Sequence, residues 1–314
     1  MQSYQSRACV YEHDKKGLLD LVRAYRVATG VAVYPTTWRV CLLLTSRVWN
    51  PGQDIRIWET PSGQIAALAM LWRRSSISPY LALDRFIHPS FAVSELAAAM
   101  LAWGSQRAEA ILSEQAIPLT VYAQDFAPAL HLDSPYDRYG FNLLKPNPGE
   151  YNAYFGRDLS AGLPAPSLPA GYSIRPVQGQ QDLTAYQSLY SFVAVNTEHQ
   201  KELFESDEYS HLTVVTPDGA LAAYCECSID RAEWQISGRQ IGWIDYIETR
   251  PEQQGRGLGQ AVLCAGLRRL QEWGADTAML ITTSTNTGAH RLYHKAGFER
   301  MDVREPDSYM KPIG

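Results

Sequence analysis

The pattern of hydrophobic and polar positions predicts a mixed α/β protein. Short apolar runs bounded by turn residues indicate strands, and longer stretches with apolar residues every three or four positions indicate helices. The predicted strands are Ile55–Glu59, Gln64–Trp72, Leu81–Ile87, Leu119–Ala123, Tyr172–Pro176, Leu212–Thr216, Leu221–Ile229, Ile241–Thr249 and Ala278–Thr283. The predicted helices are Lys16–Ala28, Ser94–Glu114, Pro128–Tyr139, Gln181–Val193, Leu258–Trp273 and Thr287–Lys295. This order predicts central, mostly antiparallel mixed sheets flanked by helices.

The chain contains two diverged copies of one plan. Thr60–Ala67 resembles Thr216–Ala223, and each segment reads as a hairpin turn between two apolar strands. Farther on, Tyr136–Phe141 and Tyr293–Phe298 share the pattern Tyr-x-x-x-Gly-Phe at nearly the same offset. The sequence therefore predicts an internal duplication.

The 314 residues are enough for two domains, each with its own core. Between the copies, Ser160–Gly171 carries three prolines among small residues, which is typical of a semi-rigid linker. We expect a first domain over residues 1–160, a linker over 161–171 and a second domain over 172–314.

Composition and charge narrow the class of protein. Hydrophobic residues make up 46% and charged residues 19%, as in ordinary globular proteins. The net charge of −5 does not favour nucleic acid or anionic membranes as partners. No apolar run has the length of a membrane span or a signal peptide, and an odd count of five cysteines fits reduced thiols. We expect a cytoplasmic protein with neither nucleic acid nor membrane as partner.

The most informative motif is Gln254-Gly255-Arg256-Gly257-Leu258-Gly259, which lies between a predicted strand and a predicted helix. Glycines let several backbone N–H groups approach an anion, and the positive end of the helix dipole adds attraction. No Gly-Lys-Ser/Thr follows, which argues against a P-loop, and no βαβ repeat follows, which argues against a dinucleotide fold. The motif predicts a cradle for a diphosphate.

The equivalent span of the first half lacks this cradle. Pro89–Trp103 has no glycine, and Glu95 falls in the first turn of the predicted helix, with Ser94 as its expected N-cap. A carboxylate at a helix N-terminus would repel a diphosphate. The first half is predicted to keep the fold without the cofactor cradle.

The glycine motif is followed by a helix, a strand and Asn286-x-x-Ala289-x-x-Leu292-Tyr293-x-x-x-Gly297-Phe298. From Tyr172 to the C-terminus, this arrangement resembles the GNAT superfamily of N-acetyltransferases. The resemblance implies tandem GNAT domains, acetyl-CoA (coenzyme A) as cofactor and acetyl transfer to a primary amine by direct attack in a ternary complex. It implies a cofactor site made by Ile247, Thr249, Gln254, Gly255, Arg256, Gly257, Leu258, Gly259, Asn286 and Tyr293.

Tyr293 is the predicted general acid, because a phenol with a pKa of about 10 can donate a proton to a departing thiolate. The resemblance implies a position beside the thioester sulfur, and packing in the core is the alternative. Tyr136 occupies the equivalent place beside no such loop, so the position also serves packing. Asn286, seven residues before Tyr293, is predicted on the same helix face, as an N-cap, a contact to the pantetheine arm, or both.

Two carboxylates on one strand are candidates for the general base, with Asp245 ranked before Glu248. Regular alternation would place Asp245 with Ile247 on one face and Glu248 on the other. In GNAT enzymes this strand commonly carries a bulge, which would reverse the facing beyond it and turn a backbone N–H near Ile247 or Glu248 toward the thioester oxygen. Either acid could instead pair with an arginine.

The acceptor and assembly stay open. The stretch with Glu202, Glu205, Asp207, Glu208 and Tyr209 lies where the family builds its acceptor pocket, which suits a cationic amine in a small molecule or a peptide. His290 and His294 lack a third ligand, so no metal is expected. We expect either a monomer with pseudo-dimeric halves or a homodimer, and the alternative function is a non-catalytic acyl-CoA sensor or scaffold.

Overall fold

The computed structural model describes residues 4–30, 35–45, 50–73, 78–115, 117–125, 130, 132, 135–144, 151–179, 181–182, 184–185, 204–303 and 307–314. The chain divides into two compact units. The first contains Met1–Lys145 with Arg304–Gly314, and the second contains Pro146–Val303. Within the described residues, no helix is both long enough and apolar enough to cross a membrane.

The first unit is a mixed sheet with helices around it. Its helices are α1 (Tyr11–Thr29), α2 (Thr37–Leu44), α3 (Pro51–Asp54) and α4 (Ser94–Gln115). Its strands are β1 (Gln5–Ala8), β2 (Ile55–Glu59), β3 (Ile65–Trp72), β4 (Tyr80–Ile87), β5 (Leu119–Gln124), β6 (Asn142–Leu143) and β14 (Ser308–Ile313). The described strands lie in the order β1-β2-β3-β4-β5-β14-β6, with β4 and β5 parallel.

The second unit repeats this design. Its strands are β7 (Asn152–Asp158), β8 (Ser173–Pro176), β9 (Tyr209–Val215), β10 (Leu221–Ile229), β11 (Ile241–Thr249), β12 (Thr277–Thr283) and β13 (Glu299–Met301). Its helices are α5 (Arg231–Ser237), α6 (Leu258–Glu272) and α7 (Thr287–Lys295). The described strands lie in the order β13-β7-β12-β11-β10-β9-β8, with β11 and β12 parallel.

Helix α6 shows how the sequence pattern builds the second core. Leu263, Leu267 and Leu270 recur at helical spacing and are fully buried. Gly266 lets the helix approach the sheet closely, since an added Cβ would stand 2.7 Å from Cys225 Sγ on β10. Helix α6 is therefore packed closely against β10 and β11. This packing fixes the position of its N-terminus, where the candidate site lies.

The two sheets match strand by strand, with one exchange. The position next to β5 in the first sheet is filled by β14, and the equivalent position next to β12 in the second is filled by β7. The strands thus do not follow the predicted boundaries, which placed β7 in the first domain and β14 in the second. A strand joins a sheet where an edge is available and where its apolar face matches that of the sheet. The local sequence pattern reveals neither of these conditions.

The predicted linker belongs to the second unit. Leu163 and Leu168 pack against its core, and the Arg157 guanidinium donates to the Gly162 carbonyl at 3.0 Å. Residues 161–171 are therefore a packed segment of that unit and not a free spacer. The two leucines among the prolines and small residues account for the difference.

The two sequence matches have matching structures. Thr60 N donates to Gln64 O and Thr216 N donates to Ala220 O, both at 2.9 Å, in the same hairpin turn. In the Tyr-x-x-x-Gly-Phe segments, the phenylalanine N–H donates to the tyrosine carbonyl at 3.0 Å in both units. The predicted duplication is confirmed.

The predicted elements are confirmed within a few residues, with two exceptions. Of the predicted helix Pro128–Tyr139, the described residues form a 3-10 turn over Asp137–Tyr139, and most of the others lie outside the described residues. Of the predicted helix Gln181–Val193, residues 181–182 and 184–185 are helical and the rest lies outside the described residues.

Candidate functional site

Strands β11 and β12 separate within the second sheet, and this separation opens a cleft. Their parallel pairing runs from Ile241 opposite Thr277 to Trp243 opposite Met279. Beyond this point β11 continues to Thr249, while β12 continues to Thr283. The far half of β11 therefore has one hydrogen-bonding edge that β12 does not cover.

A bulge at Asp245 marks the start of the separation. Glu226 pairs with Tyr246 and Cys227 pairs with Ile244, which leaves Asp245 as the extra residue of β11. Such a bulge bends a strand and increases its twist. The bulge that the family resemblance implied is confirmed, and it turns β11 away from β12.

The open edge of β11 presents main-chain amides. Arg250 N donates to Ala222 O on β10 at 2.9 Å. Alternate residues of an antiparallel strand bond to the same neighbour, so the N–H groups of Ile247 and Thr249 point to the opposite edge. That edge is the one facing the cleft.

The glycine motif forms the N-terminus of α6 without a side-chain cap. Gly255 and Gly257 have φ values of 77° and 79°, where glycine is favoured, and a Cβ on either would meet no atom within 4 Å. Gly257 is the N-cap, and within the described chain no side chain caps the helix. The first N–H groups of α6 are therefore available to an external anion.

Gly259 holds the helix start against β11. An added Cβ would stand 3.2 Å from Thr249 Oγ1 and 3.8 Å from Leu292 Cδ2. The third glycine thus serves close packing, whereas Gly255 and Gly257 supply backbone conformation. The three glycines together place the loop beside the open edge of β11.

A cleft of about 490 Å³ lies among these elements. It is lined by nine of the ten predicted cofactor residues, namely Ile247, Thr249, Gln254, Gly255, Gly257, Leu258, Gly259, Asn286 and Tyr293. It is also lined by Glu248, Gln253, Gln260, Gly288, Ala289 and Leu292. Ala289 and Leu292 could have been found from helical spacing, since they share a face of α7 with Asn286 and Tyr293.

Tyr293 is deeply buried at the cleft, with 5% of its surface exposed. Its ring lies 5.7 Å from that of Phe155 and 6.0 Å from that of Phe298. Burial raises the pKa of the phenol well above its ordinary value, and neighbouring Cys225 and Tyr246 act in the same direction. The hydroxyl therefore stays protonated at neutral pH and can serve as a proton donor.

Asn286 begins α7 as predicted. Its Oδ1 accepts a hydrogen bond from Ala289 N at 3.2 Å, which confirms the N-cap. The same side chain lines the cleft. Asn286 therefore both caps α7 and lines the candidate site.

The bulge changes the predicted facing of the two carboxylates. Asp245 accepts a hydrogen bond from Ser228 Oγ at 2.5 Å, and Ser228 pairs with Trp243. Cross-strand partners share a face, so Asp245 lies on the face of Trp243 and no longer on that of Ile247. Asp245 does not line the cleft.

Glu248 does line the cleft, at the open end of β11. Its carboxylate accepts a hydrogen bond from the Tyr224 hydroxyl at 3.3 Å. Tyr224 is fully buried and stacks on Tyr246, with ring centroids 5.7 Å apart and planes 8° from parallel. Glu248 is therefore supported by a fixed phenol and shares the cleft with Tyr293.

Arg256 is the tenth residue that was predicted to bind the cofactor. The side chain is exposed and does not line the cleft. Its guanidinium donates to the Tyr172 hydroxyl at 3.0 Å, and that hydroxyl donates to Gln253 Oε1 at 3.1 Å. The arginine that was expected to meet phosphate is held by a tyrosine from the segment before β8.

The described side chains of the acid-rich stretch lie in different surroundings. Asp207 and Glu208 both pair with Arg231, at 3.2 and 3.3 Å. Tyr209 is buried and donates to Glu226 Oε2 at 2.8 Å. Glu205 is exposed, and Glu202 lies outside the described residues.

The paired histidines of α7 serve packing. The rings of His290 and His294 contact Phe155, with centroids 5.1 and 5.5 Å away. His290 Nε2 also lies 3.0 Å from Thr283 O. Because both rings contact Phe155, packing accounts for the four-residue spacing of the two histidines.

In the first unit, the equivalent strand separation is filled by side chains. The parallel pairing of β4 and β5 ends at Leu83 and Ala123. Beyond it, the Arg85 guanidinium donates to Gln124 O at 2.6 Å and to the Tyr136 hydroxyl, and lies 5.0 Å above the Tyr136 ring. The tyrosine that corresponds to Tyr293 is thus a partner of a buried arginine.

The start of α4 also differs from that of α6. Ser94 is the first helical residue and not the N-cap, since Val93 O accepts from Ala97 N at 3.3 Å. Glu95 lies in the first turn, as predicted. A carboxylate there opposes binding of a diphosphate.

Comparison with known proteins shows which family the second unit resembles. The profile of the acetyltransferase (GNAT) family matches residues 181–298. The mycothiol acetyltransferase of Pseudarthrobacter chlorophenolicus is 32% identical over 152 residues, 46% of this chain and 47% of the relative. That of Renibacterium salmoninarum is 32% identical over 185 residues, 55% of this chain and 53% of the relative. The chain spans about half the length of the curated relatives it matches.

Solved structures share the fold over the whole chain. A tandem GNAT protein from the clavulanic acid biosynthesis pathway has a TM-score of 0.60 at 16% identity, covering 99% of both chains. Saccharomyces cerevisiae N-myristoyltransferase with bound myristoyl-CoA has a TM-score of 0.60 at 12% identity, covering 100% of this chain and 80% of that one. Residues 181–298 thus match the acetyltransferase (GNAT) family, and the two units repeat a GNAT-like fold in tandem.

Proposed function

We propose that the second unit binds acetyl-CoA in the cleft and transfers its acetyl group to a primary amine, by direct attack in a ternary complex. One observation carries the proposal. The uncapped N-terminus of α6, with Gly257 in the left-handed conformation, lines the same cleft as Tyr293 and Glu248. Anion-binding amides, a protonated phenol and a carboxylate are the groups that this reaction requires.

The glycine loop fits a diphosphate. The amides of Leu258, Gly259 and Gln260 precede the first complete helical bonds, and the helix dipole makes this end attractive to negative charge. Gly255 and Gly257 line the cleft, and a Cβ added to either would meet no atom within 4 Å. These residues would hold the diphosphate of coenzyme A, which supplies the acetyl group as an activated thioester.

The open edge of β11 fits the acyl end of the same molecule. The N–H groups of Ile247 and Thr249 face the cleft because β12 has separated there. Fixed amide donors stabilise negative charge that develops on a carbonyl oxygen during acyl transfer. Ile247 and Thr249 would therefore act through their main chain, and Asn286 and Ala289 would line the pantetheine arm.

The chemistry needs two proton transfers. The amine nitrogen forms a bond to the acetyl carbon as the bond from that carbon to sulfur breaks. The proton lost by the amine goes to Glu248, directly or through water, and the departing thiolate takes the proton of Tyr293. We assign the base to Glu248 and not to Asp245, because Glu248 lines the cleft and Asp245 is bonded to Ser228.

The first unit would support the fold without binding the cofactor. Arg85 and Tyr136 fill the place where its strands separate, and Glu95 begins α4. One coenzyme A per chain is therefore expected. The names of the curated relatives support an amine acceptor in a small molecule, and a peptide amine is the second acceptor class.

Calorimetric titration with acetyl-CoA, followed by a thiol-release assay with a panel of primary amines, tests the proposal. We expect one binding site per chain and amine-dependent release of coenzyme A. Binding without release under any amine would favour a sensor or scaffold. Two sites per chain would overturn the role given to the first unit, and no binding would overturn the proposal as a whole.

A further inference from the structure

The hydroxyl of Tyr172 joins two residues on opposite sides of Gly255. It donates to Gln253 Oε1 at 3.1 Å and accepts from the Arg256 guanidinium at 3.0 Å. The same hydroxyl is the donor in the first contact and the acceptor in the second, and a phenol can fill both roles at once. The turn of the glycine loop is therefore tied, at both ends, to a residue eighty or more positions earlier in the chain.

Tyr172 is itself held firmly. Its ring packs against the core of the second unit, and its N–H donates to Pro169 O at 3.2 Å. The preceding Gly171 has a φ of 81° and lies against Pro217, which an added Cβ would approach to 3.0 Å. The proline-rich segment and the hairpin turn together fix the position of this hydroxyl.

We propose that Tyr172 is a positioning residue that preorganises the diphosphate-binding turn. Gln253 lines the cleft, and Gly255 lies between the two bonded residues. A turn held in its binding shape before the ligand arrives loses less conformational freedom on binding. The hydroxyl would thus strengthen binding of the diphosphate part of coenzyme A without touching the reacting atoms.

The inference rests on the proposed cofactor site, and its test separates the two. Tyr172→Phe keeps the ring packing and removes the hydroxyl. We expect Kd for coenzyme A to rise about 3- to 10-fold, the effect of a typical lost hydrogen bond or two. The kcat at saturating acetyl-CoA should stay unchanged. The matched control is Tyr80→Phe, at an exposed tyrosine of the first unit, and should leave Kd unchanged.

A truncated donor supplies a readout that a general loss of stability would not give. S-acetylpantetheine lacks the diphosphate, so Tyr172→Phe should lower kcat/KM for acetyl-CoA and leave that for S-acetylpantetheine unaltered. Arg256→Gln and the double variant complete a cycle, in which the two losses should not add. Equal losses with both donors, additive losses in the cycle, or an unchanged Kd would each overturn the role of Tyr172. Failure of the wild-type chain to bind coenzyme A would instead overturn the proposed function.

Discussion

Tyr136 and Tyr309 stack face to face in the first unit, with ring centroids 3.6 Å apart and planes 1° from parallel. Tyr309 lies on β14, the strand that the end of the chain contributes to the first sheet. The last strand therefore covers the tyrosine that corresponds to Tyr293. The fold of the first unit depends on residues that follow the second unit in the sequence.

Replacement of Tyr309 by Ala should destabilise the first unit. The loss of a stacked aromatic pair and its packing is expected to cost about 1–3 kcal/mol. Urea unfolding measures the change, and calorimetry with coenzyme A should show an unaltered Kd, since the cleft belongs to the second unit. A large loss of affinity without a loss of stability would contradict this account.

The two equivalent tyrosines should separate chemistry from packing. In Tyr293→Phe, turnover should fall by about 10²–10⁴-fold, the range for removal of a general acid, while Kd for coenzyme A stays nearly constant. Tyr136→Phe is the matched control. It removes contacts to Arg85 and Gln124 and should lower stability but not kcat. Unchanged turnover in Tyr293→Phe would exclude this phenol as the acid.

The pH dependence of turnover should reflect the raised pKa of Tyr293. Burial disfavours the phenolate, so the proton-donating form persists to a higher pH than it would for an exposed tyrosine. We therefore expect kcat to show no fall attributable to Tyr293 up to about pH 10, the ordinary phenol value. An alkaline limb below that pH, present in the wild type and missing in Tyr293→Phe, would be inconsistent with the burial of this residue.

The carboxylates should differ in their effect on turnover. Glu248→Gln is expected to reduce kcat by about 10²–10⁴-fold, because an amide cannot accept the amine proton. Asp245→Asn retains an oxygen that can accept from Ser228, so kcat should change little. Stopped-flow or steady-state thiol release measures both. The reverse order of effects would return the role of base to Asp245.

Much of the fold could be predicted from the sequence because its signals are local. Helix Ser94–Gln115, hairpin turn Thr216–Gly219 and the uncapped start of α6 each depend on residues close together in the chain. The exchange of β7 and β14 could not be predicted in this way. The sheet that each strand joins depends on which edge is available to it, and that edge is formed by residues distant in the sequence.

The same difference between local and distant signals applies to the residues of the candidate site. The glycine loop, Asn286 and Tyr293 were found from spacing within one helix or turn, and they do line one cleft. The ranking of Asp245 before Glu248 assumed regular alternation of side chains along β11, which the bulge at Asp245 interrupts. The contact from Tyr172 to Arg256 joins positions distant in sequence, and no local pattern marks it.

Binding of coenzyme A to Gly257→Glu tests the central claim, that the main-chain amides at the start of α6 hold the diphosphate. A carboxylate at this cleft-lining position would repel the ligand and strain a residue whose φ is 79°. The matched control is Gly238→Glu, at an exposed glycine with a φ of 70° and similar open space at the end of α5. By calorimetry we predict that Gly257→Glu weakens binding by roughly 100-fold or more, through charge repulsion and backbone strain. Gly238→Glu should bind as the wild type does. Equal affinity in wild type and Gly257→Glu would contradict the account.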